Sequence, residues 1–216
     1  DVAGEVAGLV HDPALTQWHQ IDLANGSFGQ GVAVTPIQLA TAFSAMVNGG
    51  TLVQPHVVDA IANQEIHPAP QATGVIDPAL TPELVDLMHH VVATVPFYRD
   101  RTLVPGYKVG GKTGTAQIWD PKMNGGRGGW KINKFNYSFV GYIGKKRPEL
   151  IVAVRIREGR PTIARIGELE MPVMSFELFR RIATDAITTL DLDPNRGGPA
   201  TRASSTPAGQ TAAAGG

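Results

Sequence analysis

The chain has 216 residues, 43% hydrophobic and 18% charged, with no cysteine; this is the composition of a globular domain and excludes disulfides, thiolate metal sites and cysteine nucleophiles. No run approaches the ~18 apolar residues of a membrane span and no export signal opens the chain, whose first residue, Asp1, suggests a piece of a longer protein. A net charge of zero conceals segregation: residues 1–98 hold no Lys or Arg, and 15 of the 19 basic side chains fall in residues 99–165, so the middle of the chain is suited to an anionic partner.

In chain order, residues 1–34 are rich in Gly, Asp and Ala without a sustained period and predict irregular structure. Thr35-Pro36 supplies an N-cap and a first-turn proline; Ile37, Ala40, Phe43 and Val47 then share one helical face, and Asn48-Gly49-Gly50 stops the helix. Thr81-Pro82-Glu83 repeats that opening before a stripe of Leu84, Leu87, Met88, Val91, Val92 and Val95. From Tyr107 the period changes to two, predicting strands around Thr113–Ile118, Phe135–Val140 and Ile151–Ile156, the last two joined by a turn at Lys145–Pro148. Three sequential strands with short or medium connections imply an antiparallel meander. A final helix opens near Pro172–Ser175, with Phe176, Phe179, Ala183, Ile187 and Leu190 covering the sheet, and residues 193–216 read as a disordered Gly/Pro/Ser/Thr/Ala tail.

Gly106 to Thr113 fits the pattern G-x-x-x-x-G-K-[ST], a literal nucleotide-binding P-loop. Its context is wrong, because a P-loop needs a helix starting at its Lys-Thr to face the phosphates, whereas Gly114-Thr115-Ala116-Gln117-Ile118 continues in strand period. The Gly125–Trp130 stretch occurs once and reads as a loop between strands, so no nucleic-acid partner is expected. His89 and His90 are adjacent and lie ~100° apart on a helix, the other histidines lack metal spacing, and no metal or organic cofactor is expected. Trp18, Trp119 and Trp130 are assigned to packing or loop anchoring before any groove.

Lys112-Thr113-Gly114 is also a signature of serine β-lactamases and penicillin-binding proteins. Together with Gly26-Ser27-Phe28-Gly29-Gln30-Gly31, Val34-Thr35-Pro36, Gln38-Leu39-Ala40 and Tyr107 to Gln117, it resembles the second half of the transpeptidase domain of class B penicillin-binding proteins, over roughly residues 1–190. The resemblance implies an α+β fold, an antiparallel sheet of five strands flanked by helices, with the N-terminal part of the domain missing and residues 1–192 forming its C-terminal part. It implies a D,D-transpeptidase that cross-links peptidoglycan stem peptides through a serine ester and is inactivated by β-lactams. A strand lining a groove can pair with an extended substrate through its main chain. Lys112, Thr113, Gly114 and Thr115 are the substrate-binding candidates, and Lys112 and Thr115 the catalytic ones. Lys112 offers a cation to a substrate carboxylate, Thr113 and Thr115 offer hydroxyls, and by resemblance the Thr115 backbone N–H is an oxyanion donor, worth on the order of 3 kcal/mol.

The chain has neither S-x-x-K nor S-x-N. In the family both lie earlier in the domain, so the nucleophile is expected upstream and the chain alone is expected to be inactive and poorly soluble, its sheet edge and apolar helix faces being exposed. The resemblance further implies an N-terminal membrane anchor, an extracytoplasmic location, and a membrane glycosyltransferase and other cell-wall synthesis proteins as partners. A β-lactam sensor or serine β-lactamase, and a noncatalytic peptide-binding or scaffold module, share enough of these features to stay open.

Overall fold

A computed structural model describes residues 4–159, 163–166, 169–172 and 174–192. Its elements are α1 (Gln20–Ser27), α2 (Pro36–Val47), a small hairpin of β1 (Ala60–Ile61) and β2 (Gln64–Glu65), a 3-10 turn (Pro78–Leu80), α3 (Thr81–Thr94), α4 (Pro96–Thr102), β3 (Lys108–Asp120), the single turn α5 (Met123–Gly126), β4 (Gly129–Gly144), β5 (Pro148–Gly159), a ribbon of β6 (Ile163–Ile166) and β7 (Leu169–Pro172), and α6 (Ser175–Thr189). The expected meander is present: β3, β4 and β5 pair antiparallel in that order, leaving β3 at one edge. Among the described residues this sheet has three strands, against the five that the resemblance implies for a whole domain. No helix among the described residues is long and apolar enough to cross a membrane, and residues 193–216, read as a tail, lie outside them.

Alternation along the strands makes two cores. Phe139 and Val154 face α6, where Phe176, Phe179 and Ala183 are fully buried; each large apolar side chain so buried contributes roughly 1.5–3 kcal/mol. Val140 and Tyr142 face the other way, onto Phe43 and Val47 of α2. Helix α3 bridges the two layers, with Val85 and Met88 in the α2 core and Val92 in the α6 core. Its close approach to β3 and the packing of β4 together explain the glycine pair before Lys112. A Cβ on Gly110 would stand 2.5 Å from the Tyr142 ring and 2.8 Å from the His89 nitrogen, and one on Gly111 would strike Phe139 and the Val140 carbonyl at 2.6 Å. Burial pushes the Tyr142 phenol above its usual range, with the Asp86 charge a smaller cause; its hydroxyl donates to the Val85 carbonyl at 2.8 Å.

Several local expectations are corrected. Residues 20–27, read as irregular, form α1, which buries no residue and so carries no apolar stripe; it is opened by Asp22, whose carboxylate accepts the His19 N–H at 2.8 Å. Thr35 caps α2 as expected, in a reciprocal box with Gln38, yet Ile37 on the expected apolar face is exposed. Thr81 does not cap α3: the 3-10 turn runs into the helix, and Asp77 supplies the cap by accepting the Ala79 N–H at 2.9 Å. Leu87, Val95 and Leu190, expected in the core, are exposed, and Pro96 starts the unanticipated α4 where α3 ends.

β4 begins at Gly129, well before Phe135, because the β3–β4 hairpin is long and bulged. Between the pairs Gln117↔Phe135 and Trp119↔Trp130, Ile118 alone opposes residues 131–134, and Asn133 takes a left-handed φ of 55°. Glu158 pins this bulge, accepting from Lys131 at 2.7 Å and Lys134 at 3.4 Å. The hydrogen bond and charge of Lys131, reinforced by Lys134, hold its carboxyl below the usual glutamate range. A depressed pKa contributes stability above the unfolded-state value that is lost as pH falls through the folded one. Cooling of the melting temperature from about pH 6 to about pH 3 is therefore expected to be shallower in Glu158→Gln than in the wild type; equal slopes would place no charge pairing at Glu158.

Candidate active site

Register pairing assigns each side chain of the Lys-Thr-Gly-Thr run to a face. Lys112 lies opposite Val140 and Ala153, and Gly114 opposite Ser138 and Arg155, so these project toward α2. Thr113 lies opposite Phe139 and Val154, and Thr115 opposite Tyr137 and Ile156, so the two threonines share the α6 face. The four candidates are brought together at the exposed edge of β3, but Lys112 and the threonines reach it from opposite sides of the strand. Lys112 is exposed, and its Nζ donates to the Thr113 carbonyl at 3.0 Å. Thr113 is half-buried, with its hydroxyl 3.4 Å from the Tyr98 phenol.

The edge opens at Lys112 because α3 covers what precedes it. His89 Nδ1–H donates to the Val109 carbonyl at 2.7 Å, a direction that follows because a carbonyl can only accept. Lys108 pairs with Asp86, one α3 turn earlier, and holds that carboxyl below its usual range. From Lys112 onward β3 has no neighbouring strand on its outer side among the described residues, and an edge strand directs alternate N–H and C=O groups outward. Gly114 lies close to its strand partner, where a Cβ would stand 2.4 Å from the Ser138 hydroxyl and turn that side chain aside.

Beside this edge lies a cleft of about 1270 Å³ lined by residues 112–116 of β3, by Asn136, Ser138 and Arg155 behind them, and by Phe28, Val34, Thr35 and Leu39 from the α1–α2 region. The sequence blocks that carry the resemblance, within residues 26–40 and 107–117, thus converge on one space. Sequence reading missed His89, Tyr98, Ser138 and Arg155, since each reaches the site only through packing or strand pairing and sits in no local pattern. The P-loop reading fails, because Lys112 and Thr113 lie in mid-strand, paired with Val140 and Phe139, and no helix begins there. Among the described residues no group of three or more His, Asp or Glu is placed to hold a metal.

Residues 1–170 match the model of the penicillin-binding protein transpeptidase domain. The chain belongs to that family. Stage V sporulation protein D of Bacillus subtilis is 32% identical over 206 residues, an alignment covering 91% of this chain and 29% of the relative. A probable peptidoglycan D,D-transpeptidase PenA of Neisseria meningitidis is 33% identical over 156 residues, covering 72% and 24%. The chain therefore spans less than a third of the length of these curated relatives. Among solved structures, the transpeptidase domain of Burkholderia pseudomallei penicillin-binding protein 3 superposes with a TM-score of 0.68 at 28% identity, covering 91% of this chain and 54% of that one. Penicillin-binding protein 3 of Mycobacterium tuberculosis, complexed with ampicillin, gives 0.68 at 25% identity, covering 91% and 44%. The α+β transpeptidase fold expected from the sequence is thereby established, and the cleft beside β3 lies in a penicillin-binding transpeptidase domain.

Proposed function

We propose that this chain is the substrate-binding part of a peptidoglycan D,D-transpeptidase, extending through α6 to residue 192. It acts within a longer protein whose upstream segment supplies the serine nucleophile. The observation that carries the reading is the Lys112-Thr113-Gly114-Thr115 run on an edge strand whose outer side is open from Lys112 onward and faces the cleft. The acyl-D-Ala-D-Ala end of a stem peptide adds to that edge as a further strand, its carbonyls and amides pairing with β3. Lys112 supplies the positive charge that attracts the terminal carboxylate, Thr113 and Thr115 donate hydroxyl hydrogen bonds to it, and the Thr115 N–H is one oxyanion donor when the serine attacks the penultimate carbonyl. β-Lactams take the same place and leave a stable ester on that serine.

No metal or organic cofactor enters this chemistry. The domain works outside the cytoplasmic membrane, held by an anchor elsewhere in the protein, beside a glycosyltransferase that makes the glycan. The test is intact mass after exposure to benzylpenicillin. The full-length protein is expected to gain the mass of one penicillin, and residues 1–216 alone none. A full-length protein that stays unlabelled would leave a peptide-binding or scaffold module, and one that is labelled and then clears the adduct rapidly would be a β-lactamase.

A further inference from the structure

Beyond the reacting edge, β3 runs on to a feature that the transpeptidase reading leaves unused. Trp119 and Trp130 face each other across the β3–β4 pair, ring centroids 5.2 Å apart and planes at 78°. Gly128, with a φ of +78°, lies so close that a Cβ there would stand 2.3 Å from the Trp119 ring. The two rings are thus held by each other and by backbone, yet Trp119 is 51% and Trp130 50% exposed. Large aromatic groups fixed at low entropic cost and left open to solvent are the usual composition of a recognition surface. Trp18 has no such role, since its Nε1–H anchors a loop by donating to the His11 carbonyl at 2.9 Å.

The surroundings select the ligand. Gln117, exposed and two positions before Trp119 on the same face of β3, sets an amide that can donate and accept between the rings and Thr115. A polyhydroxylated ring has both an apolar C–H face, which suits the negative face of an indole, and hydroxyls for that amide. A lipid surface fits less well, because the rings are locked edge to face at 78° and cannot both lie along one headgroup plane. Trp119 is four residues beyond Thr115 on the same strand, about 13 Å along it. That separation lies within reach of the sugar to which a stem peptide seated on β3 is joined.

We propose that the Trp119–Trp130 pair is a saccharide platform that stacks a ring of the glycan strand carrying the stem peptide, an assignment that rests on the transpeptidase reading. The test is calorimetric titration of the full-length protein with the N-acetylglucosamine tetramer, a peptide-free probe, alongside benzylpenicillin labelling of the same preparation. The expected result is saturable binding by a protein that penicillin acylates, weakened about tenfold or more in Trp130→Ala. Trp130→Phe, which keeps a ring and guards against a misfolded alanine variant, is expected to restore binding to within about threefold of wild type. An acylated wild type that does not bind the tetramer, or binds it equally in both variants, overturns the platform alone. No response to the tetramer, together with a tryptophan emission shift on phosphatidylglycerol vesicles that is lost in Trp130→Ala, overturns it in favour of a membrane contact. A wild type that penicillin does not acylate overturns the transpeptidase reading and this assignment with it.

Discussion

Lys112→Ala in the full-length protein is expected to lower the second-order rate of β-lactam acylation by about 100- to 1000-fold, with little change in melting temperature. A charge pair at about 4 Å is worth roughly 1 kcal/mol in bulk water and roughly 4 kcal/mol at the effective dielectric of a protein surface, and each 1.4 kcal/mol is a factor of about ten in rate. The higher figure applies here because a ligand seated in the cleft excludes water from one side of the ammonium. Lys112 is exposed and, among the described residues, makes no salt bridge; its Nζ meets only the neighbouring Thr113 carbonyl. Its charge is therefore available to a ligand and contributes little to the folded state, so activity and stability separate. Lys112→Arg keeps the charge but replaces a compact ammonium by a planar fork, and an intermediate rate is expected. Stopped-flow acylation with a chromogenic cephalosporin gives all three rates, and a loss under fivefold in the alanine variant would remove Lys112 from the site.

Phe139→Ala has the opposite signature. Phe139 is fully buried, packs tilted against Phe179 at 4.8 Å between centroids and 60° between planes, and reaches Phe176 at 6.5 Å. Truncating such a ring costs about 3–5 kcal/mol, the lost transfer energy plus the cavity left behind, a large part of the roughly 5–15 kcal/mol that stabilises a typical domain. The expected fall in melting temperature is on the order of 10 °C, readable by calorimetry. Acylation should fall as well, because Phe139 is the strand partner of Thr113, and its ring underlies Gly111 in the approach to Lys112. A stable variant with normal acylation would show that the α6 layer does not hold β3 in place.

The strands were legible from the sequence because their information is local. Period-two alternation around Thr113, Phe139 and Val154 reflects one residue in each pair packing on α6, and the structure pairs these three residues directly. The Lys-Thr-Gly run was legible for the same reason, since its glycines and small side chains mark a backbone that others must approach. Elements without a buried stripe escaped: α1 buries nothing, and α4 is a short helix whose buried residues are Arg101 and Thr102. Arg101 is stabilised there by Glu177 of α6 at 2.8 Å and by the rings of Phe97 and Phe176, a pairing across 76 positions that no sequence window contains.

Sequence by itself determined the meander, the helix that opens at Thr35 and the family, and it nominated the four residues proposed here for the site. Only the tertiary structure decided that Lys112 and the two threonines approach the edge from opposite faces, that α3 closes the strand up to Val109 and leaves it open beyond, and that two tryptophans eleven positions apart become one exposed ring pair. The physical reason is range. Periodicity and turn chemistry act over a few residues and leave their mark in the order of the chain, whereas a face, an open edge or a ring pair exists only once distant segments have packed against one another.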